Sequence, residues 1–147
     1  MVQRFPWCVL LIASGCATVL ARPTPFCAGS ASADGAMPAA GSEWERTELY
    51  FGRAIHGGGE VSDDDWRQFV AHEICPRFPG GFTLLDATGE WRSPSGELVG
   101  EASHILLLLH SRSARDDIAI DEIRAKYRET SRQDSVLRVD EAAKVSF

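Results

Sequence analysis

Several short groupings in the sequence carry residue types that catalysis or ligand binding uses, and each is judged by its spacing. His56-Gly57-Gly58-Gly59 has the composition of a glycine-rich oxyanion loop, and His72-Glu73 opens like the helix of a zinc protease. The first would need a serine on a Gly-x-Ser-x-Gly elbow, which this chain lacks. The second would need another histidine four residues beyond the first, and Pro76 stands there. They therefore read as a loop whose glycines take positive φ and as a surface helical histidine. His104 and His110 flank Ile105-Leu106-Leu107-Leu108-Leu109 on one strand face, roughly 20 Å apart at the rise of a strand. They cannot share a metal within one chain, and the cysteines offer no metal site. No metal and no other cofactor is expected.

A charged pair is the stronger candidate. Glu101 alternates onto the strand face of Ile105, Leu107 and Leu109, whereas Arg53 shares a face with Leu49, Phe51 and Ile55. A carboxylate on an apolar face is costly to bury alone. An Arg53–Glu101 pair, if the sheet brings them together, would either orient a ligand or satisfy the core, and the structural role is favoured. Trp91, between Glu90 and Arg92 near a turn, is either a stacking platform for a ligand or cover for the sheet end. Arg53, Trp91, Glu101 and His104 are thus the candidate ligand-binding residues, for a small molecule of unassigned class. No serine or cysteine has a base at useful spacing, so no catalytic residue is assigned.

The compartment comes from the N-terminus. Arg4 precedes a mostly apolar run over residues 5–19, too short for a stable membrane span and suited to an export signal. Two processing routes remain open. Ala13-Ser14-Gly15-Cys16 resembles a bacterial lipobox, which would lipidate Cys16, and ordinary cleavage after Ala21 or Ala33 is the rival. The protein is expected in the bacterial cell envelope, either lipid-anchored through Cys16 or soluble in the periplasm. Cleavage at either earlier position leaves Cys27 and Cys75, which could pair in an oxidising compartment; cleavage after Ala33 leaves Cys75 alone. The formal charge of −6 and the lack of a basic stripe argue against nucleic acid as a partner.

The organisation that follows is a signal over 1–21, an Ala/Gly/Ser/Pro-rich tether over 22–45, one domain over 46–140 and a tail over 141–147. Strand patterns occupy 48–55, 82–86, 98–110 and 135–139, with a bulge expected at Ala87-Thr88-Gly89. Ser62 caps a helix carrying Trp66, Phe69, Val70 and Ile74 on one stripe, ended by Pro76. Ser113 starts a second helix, with Ala119, Ile120, Ile123 and Tyr127 on one face. The order βαββαβ predicts an α+β ferredoxin-like sandwich, an antiparallel sheet with two helices on one face. The strand over 98–110 is apolar on both faces, so the sheet's other face needs a cover. A homodimer joined through the sheet, as in a dimeric α+β barrel, is the expected partner.

With those residues laid out, the domain resembles the DUF3574 family of exported bacterial proteins of unknown function. The resemblance rests on Glu48-Leu49-Tyr50-Phe51-Gly52-Arg53, Val61-Ser62, Trp66, Phe69, Pro76-Arg77-Phe78-Pro79 and Gly81-Phe82-Thr83. It continues through Gly89-Glu90-Trp91, Glu101, Tyr127 and Gln133-Asp134-Ser135-Val136. This chain has Glu90 where members more often carry glutamine. The resemblance implies an envelope location and this single-domain layout, and no reaction. The leading expectation is a non-catalytic or ligand-binding envelope protein. Its alternatives are a small enzyme with its site in an enclosed dimeric barrel and an interaction module for another envelope component.

Overall fold

A computed structural model of the chain describes residues 26–27, 42–93 and 95–146. The export signal, Cys16 and most of the tether lie outside the described residues. Strand β1 (Ser42–Gly52) leads through a loop to helix α1 (Asp63–Phe69), which continues as a π-helical turn (Val70–Ile74). Strands β2 (Thr83–Arg92) and β3 (Leu98–His110) form a hairpin, followed by helix α2 (Ala114–Ser131) and strand β4 (Leu137–Val145). The sheet is antiparallel throughout in the order β2-β3-β1-β4, the ferredoxin-like arrangement. No described helix is long and apolar enough to cross a membrane.

Sequence chemistry sets both helix starts. Ser62 Oγ accepts the Asp65 N–H at 3.1 Å, and Asp63, Asp64 and Asp65 oppose the positive end of the α1 dipole. Ser113 Oγ does the same for Asp116 N–H at α2, which ends at Arg132 in the left-handed region (φ 50°). Trp66, Val70 and Ile74 follow each other at four-residue spacing and are buried, as are Ile120, Ile123 and Tyr127. The helix widens before Pro76, where the Cys75 N–H reaches back five residues to Val70 O at 2.9 Å. Between helices and sheet, Phe51 meets Tyr127 and Trp66 at ring centroids of 4.7 and 5.2 Å.

Strand β3 divides its residues by alternation. His104, Leu106, Leu108 and His110 face the helices and are buried, alongside Thr47, Leu49 and Phe51 from β1. Ile105, Leu107 and Leu109 face the other way, where no described helix lies. His110 closes the far end of the core. Its Nε2 lies 2.9 Å from Thr47 Oγ1, and that hydroxyl donates to Asp140 at 2.7 Å.

Three strands differ in extent from the expectation. β1 begins at Ser42, within the expected tether, and ends at Gly52; Ala54 then makes an isolated bridge to Glu60, and Ile55 packs on the core from the loop. β2 runs unbroken from Thr83 to Arg92 with no bulge, because it pairs residue for residue with β3. β4 starts at Leu137 and runs to Val145, pairing with β1 through most of the expected tail. These edges escape a hydrophobic reading because Ser42 to Arg46 and Asp140 to Lys144 are mostly polar, held by backbone pairing rather than apolar burial. The glycines of the 56–59 loop take φ of 94° to 112°, which lets the Gly58 N–H close back on Ile55 O at 2.9 Å. Cys27 and Cys75 are joined by a disulfide that ties the chain ahead of β1 to the end of the π-helical turn, 48 residues on.

Candidate functional site

Much of the sequence pattern quoted above converges on one stretch of backbone, Gly52-Arg53-Ala54, where β1 leaves the sheet. Tyr127 Oη donates to Gly52 O at 2.8 Å, and Gln133 Nε2 donates to Ala54 O. Glu101 Oε1 accepts the Ala54 N–H at 3.3 Å. A side chain at position 52 would collide with that carboxylate, so the close approach itself requires glycine. Burial pushes the Tyr127 phenol up to about 12, and its hydrogen bond to the backbone therefore persists across any physiological pH. This cluster fastens a strand end. Its polar atoms serve the backbone and leave little for a ligand.

The expected Arg53–Glu101 pair does not form, and the reason is register. The Arg53 N–H bonds Ala102 O at 3.0 Å, so Arg53 belongs to the helix side of the sheet, whereas Glu101 alternates onto the other face. The Arg53 guanidinium instead donates to Val61 O at 3.1 Å and pairs with Asp63 at 3.0 Å. Backbone contact satisfies Glu101. His72, exposed, has Nδ1 2.9 Å from Gln68 O of its own helix, and Glu73 pairs with Arg77 at 2.8 Å. Trp91 pairs with Val99 in the β2–β3 hairpin; its side chain lies outside what is described.

Of the four candidates, Arg53 and His104 come together. His104 is 4% exposed and stacks on Trp66 with ring centroids 4.4 Å apart and planes 8° from parallel. Its Nδ1 lies 2.7 Å from Asp86 Oδ1, across the β2–β3 ladder. A carboxylate accepts, so Nδ1–H donates to Asp86, and in the tautomer that this hydrogen bond selects Nε2 is the ring's acceptor. Among the described residues Nε2 is buried without a hydrogen-bond partner. The ring lines a cavity of about 350 Å³ whose walls include Arg53, Asp63, Trp66 and Arg67, with Phe26 alongside. Sequence reading missed Asp86 and Trp66 as members. The β2–β3 turn held the signal, since pairing symmetric about Ser95 sets Asp86 opposite His104.

The uncovered sheet face is the other concentration of unusual chemistry. Leu85, Leu109, Leu137 and Val139 are 40–58% exposed there, around half-buried Ile105 and Leu107. In β1, Glu48 accepts from both Arg46 and the Tyr50 hydroxyl, the latter at 2.5 Å. The hydrogen bond to Glu48, then burial, raises the Tyr50 phenol above its ordinary value of 10.0. A hydrogen-bonded acid, base and phenol thus stand among apolar side chains.

No curated protein matches the chain. Among solved structures, a phage SAM lyase in complex with S-methyl-5'-thioadenosine shares the fold at 16% identity and a TM-score of 0.54, and the apo state of a phage SAM lyase does so at 0.53. Each alignment covers 76% of this chain and 96% of that one. That likeness extends to the arrangement of strands and helices, and at such identity it carries the fold alone. The family described as "Protein of unknown function (DUF3574)" matches residues 46–147, from within β1 through all of β4, and the chain belongs to the DUF3574 family.

Proposed function

We propose that this is an exported cell-envelope protein that binds rather than transforms its ligand and that associates with a second copy through the uncovered sheet face. The observation that carries the association is the apolar character of that face, with four large aliphatic side chains at least 40% exposed around Ile105 and Leu107. A contiguous exposed apolar patch on a folded domain marks an interaction surface. The charges on it are of both signs, Arg46 and Glu141 standing 3.9 Å apart in the same chain, so a second copy would meet no net repulsion there. Export is supported by the N-terminal signal pattern and by the Cys27–Cys75 disulfide, a bond that persists in oxidising compartments.

Native mass spectrometry of the exported, mature protein at high micromolar concentration tests the association. The wild type is expected as a dimer, and Leu107→Glu as a monomer of unchanged far-ultraviolet circular dichroism. A monomeric wild type would overturn the proposal.

A second reading has its own observation. The Arg46–Glu48–Tyr50 set places a carboxyl group and a phenol on the face that a second copy would enclose, an arrangement suited to proton transfer. On this reading the protein is a small enzyme working in the enclosed space. The fold-sharing phage lyase names a first substrate to try. Incubation with S-adenosylmethionine would then break the bond from sulfur to the amino-acid chain, Glu48 taking the proton from the adjacent carbon, to yield S-methyl-5'-thioadenosine and an unsaturated amino acid, and Glu48→Gln would abolish both. Absence of these products removes this substrate and favours the binding role.

A further inference from the structure

We propose that the cavity beside His104 is a binding site for a free α-amino acid with an apolar side chain. It lies on the helix side of the sheet, and the inference is independent of what covers the opposite face. Three observations converge on it. The first is the buried His104 Nε2, unpartnered among the described residues in a side chain more than nine-tenths buried. A buried acceptor without a donor is costly, and a ligand N–H would relieve that cost.

The second is the charge on the walls. Arg53 and Arg67 contribute guanidinium groups, while Asp63 and Asp86 contribute carboxylates. A bare cation would meet the arginines, and a simple anion would meet the aspartates. A zwitterion satisfies both sets. Its carboxylate would lie on Arg67 and Arg53, and its ammonium would donate to His104 Nε2, while Asp86, whose side chain is 90% exposed, holds the opposite edge of the ring through Nδ1. Among the described residues Arg67 pairs with Asp64 alone, on the same helix face, which leaves its other donors for a ligand.

The third is the apolar lining. Trp66, Leu84 and Phe26 share the cavity with these charges, and about 350 Å³ accommodates an amino acid of ordinary size. Phe26 directly precedes Cys27, so the disulfide to Cys75 keeps this aromatic wall close to the cavity.

The mature exported protein, kept oxidised, is titrated by isothermal calorimetry with leucine and phenylalanine. The same titrations use N-acetyl-leucine, which lacks the ammonium, and leucinamide, which lacks the carboxylate. At least one free amino acid is expected to bind and raise the melting temperature, with both blocked analogues weaker by about tenfold or more. Arg67→Gln and Asp86→Asn each remove one charge from an exposed side chain, the asparagine keeping an oxygen for His104 Nδ1, and each is expected to weaken binding by about tenfold. The proposal is overturned if none of the common amino acids binds at millimolar concentration. Equal binding of the free and blocked forms would overturn it as well, as would full affinity in both variants.

Discussion

The two faces of this sheet are built from nearly the same residues and live in different surroundings. Along β3, Leu106 and Leu108 point under the helices and are fully buried, while Leu107 and Leu109 point away and the latter stays 40% exposed. Leucine type therefore says nothing about burial here; the parity of the position and the cover above it decide. The polar groups differ too. On the covered side His110 and Thr47 are knitted into a buried network with Asp140. On the uncovered side Arg46, Glu48 and Tyr50 satisfy each other at the surface. A face that is apolar but not sealed, and polar but internally satisfied, is prepared to be covered at low desolvation cost.

The sharpest way to break the comparison is to make one truncation on each face. Leu106→Ala leaves a cavity in a closely packed core and should cost about 3–4 kcal/mol in urea unfolding. Leu107→Ala, measured at a concentration where the chain is monomeric, should cost less than about 1 kcal/mol, because its site is already partly in water. Equal losses at both positions would mean that the second face is sealed in the monomer.

A smaller effect separates the strand-end clamp from the surface set. Glu101→Ala removes the acceptor of the exposed Ala54 N–H beside Gly52 and should destabilise by about 1 kcal/mol. Arg46→Ala removes an ion pair whose arginine is 42% exposed and should change stability by no more than about 0.5 kcal/mol. Chemical unfolding of the two variants checks the pair. A neutral Glu101→Ala would return that carboxylate to the list of ligand groups.

How much of this was legible beforehand follows the same divide. The helices, the βαββαβ order, the family and the whole of β3 could be read because apolar periodicity and caps encode them. The ends of β1 and β4 could not, since Glu43, Glu45, Glu141 and Lys144 give no hydrophobic alternation and are held by backbone pairing. Arg53 and Glu101 could each be assigned a face. Whether those faces meet depends on a register that neither strand specifies alone. His104 drew notice as a histidine beside an apolar run, yet its meaning lies in Asp86 and Trp66, one supplied by hairpin register and the other by helix packing.

The two tyrosines of the chain, one on each side of the sheet, report on the comparison with the smallest perturbation. Tyr127 is fully buried, and burial pushes its phenol up to about 12; Tyr50 is raised chiefly by its hydrogen bond to Glu48. The neutral Tyr127 phenol belongs to the folded state, so its contribution to stability is whole below pH 10 and drains away as the pH rises towards 12. Phenolate absorbance against pH should therefore show two steps, with Tyr50 ionising first and Tyr127 close to the onset of unfolding. Glu48→Gln should bring the first step back towards 10.0 and leave the second in place. Concentration then tests the cover. If a second copy seals the face, Tyr50 ionises later in the concentrated wild type than in Leu107→Glu, because burial is added to the hydrogen bond. If the first step stays fixed at every concentration and in both proteins, the face around Tyr50 remains in water and the apolar surface has some other occupant.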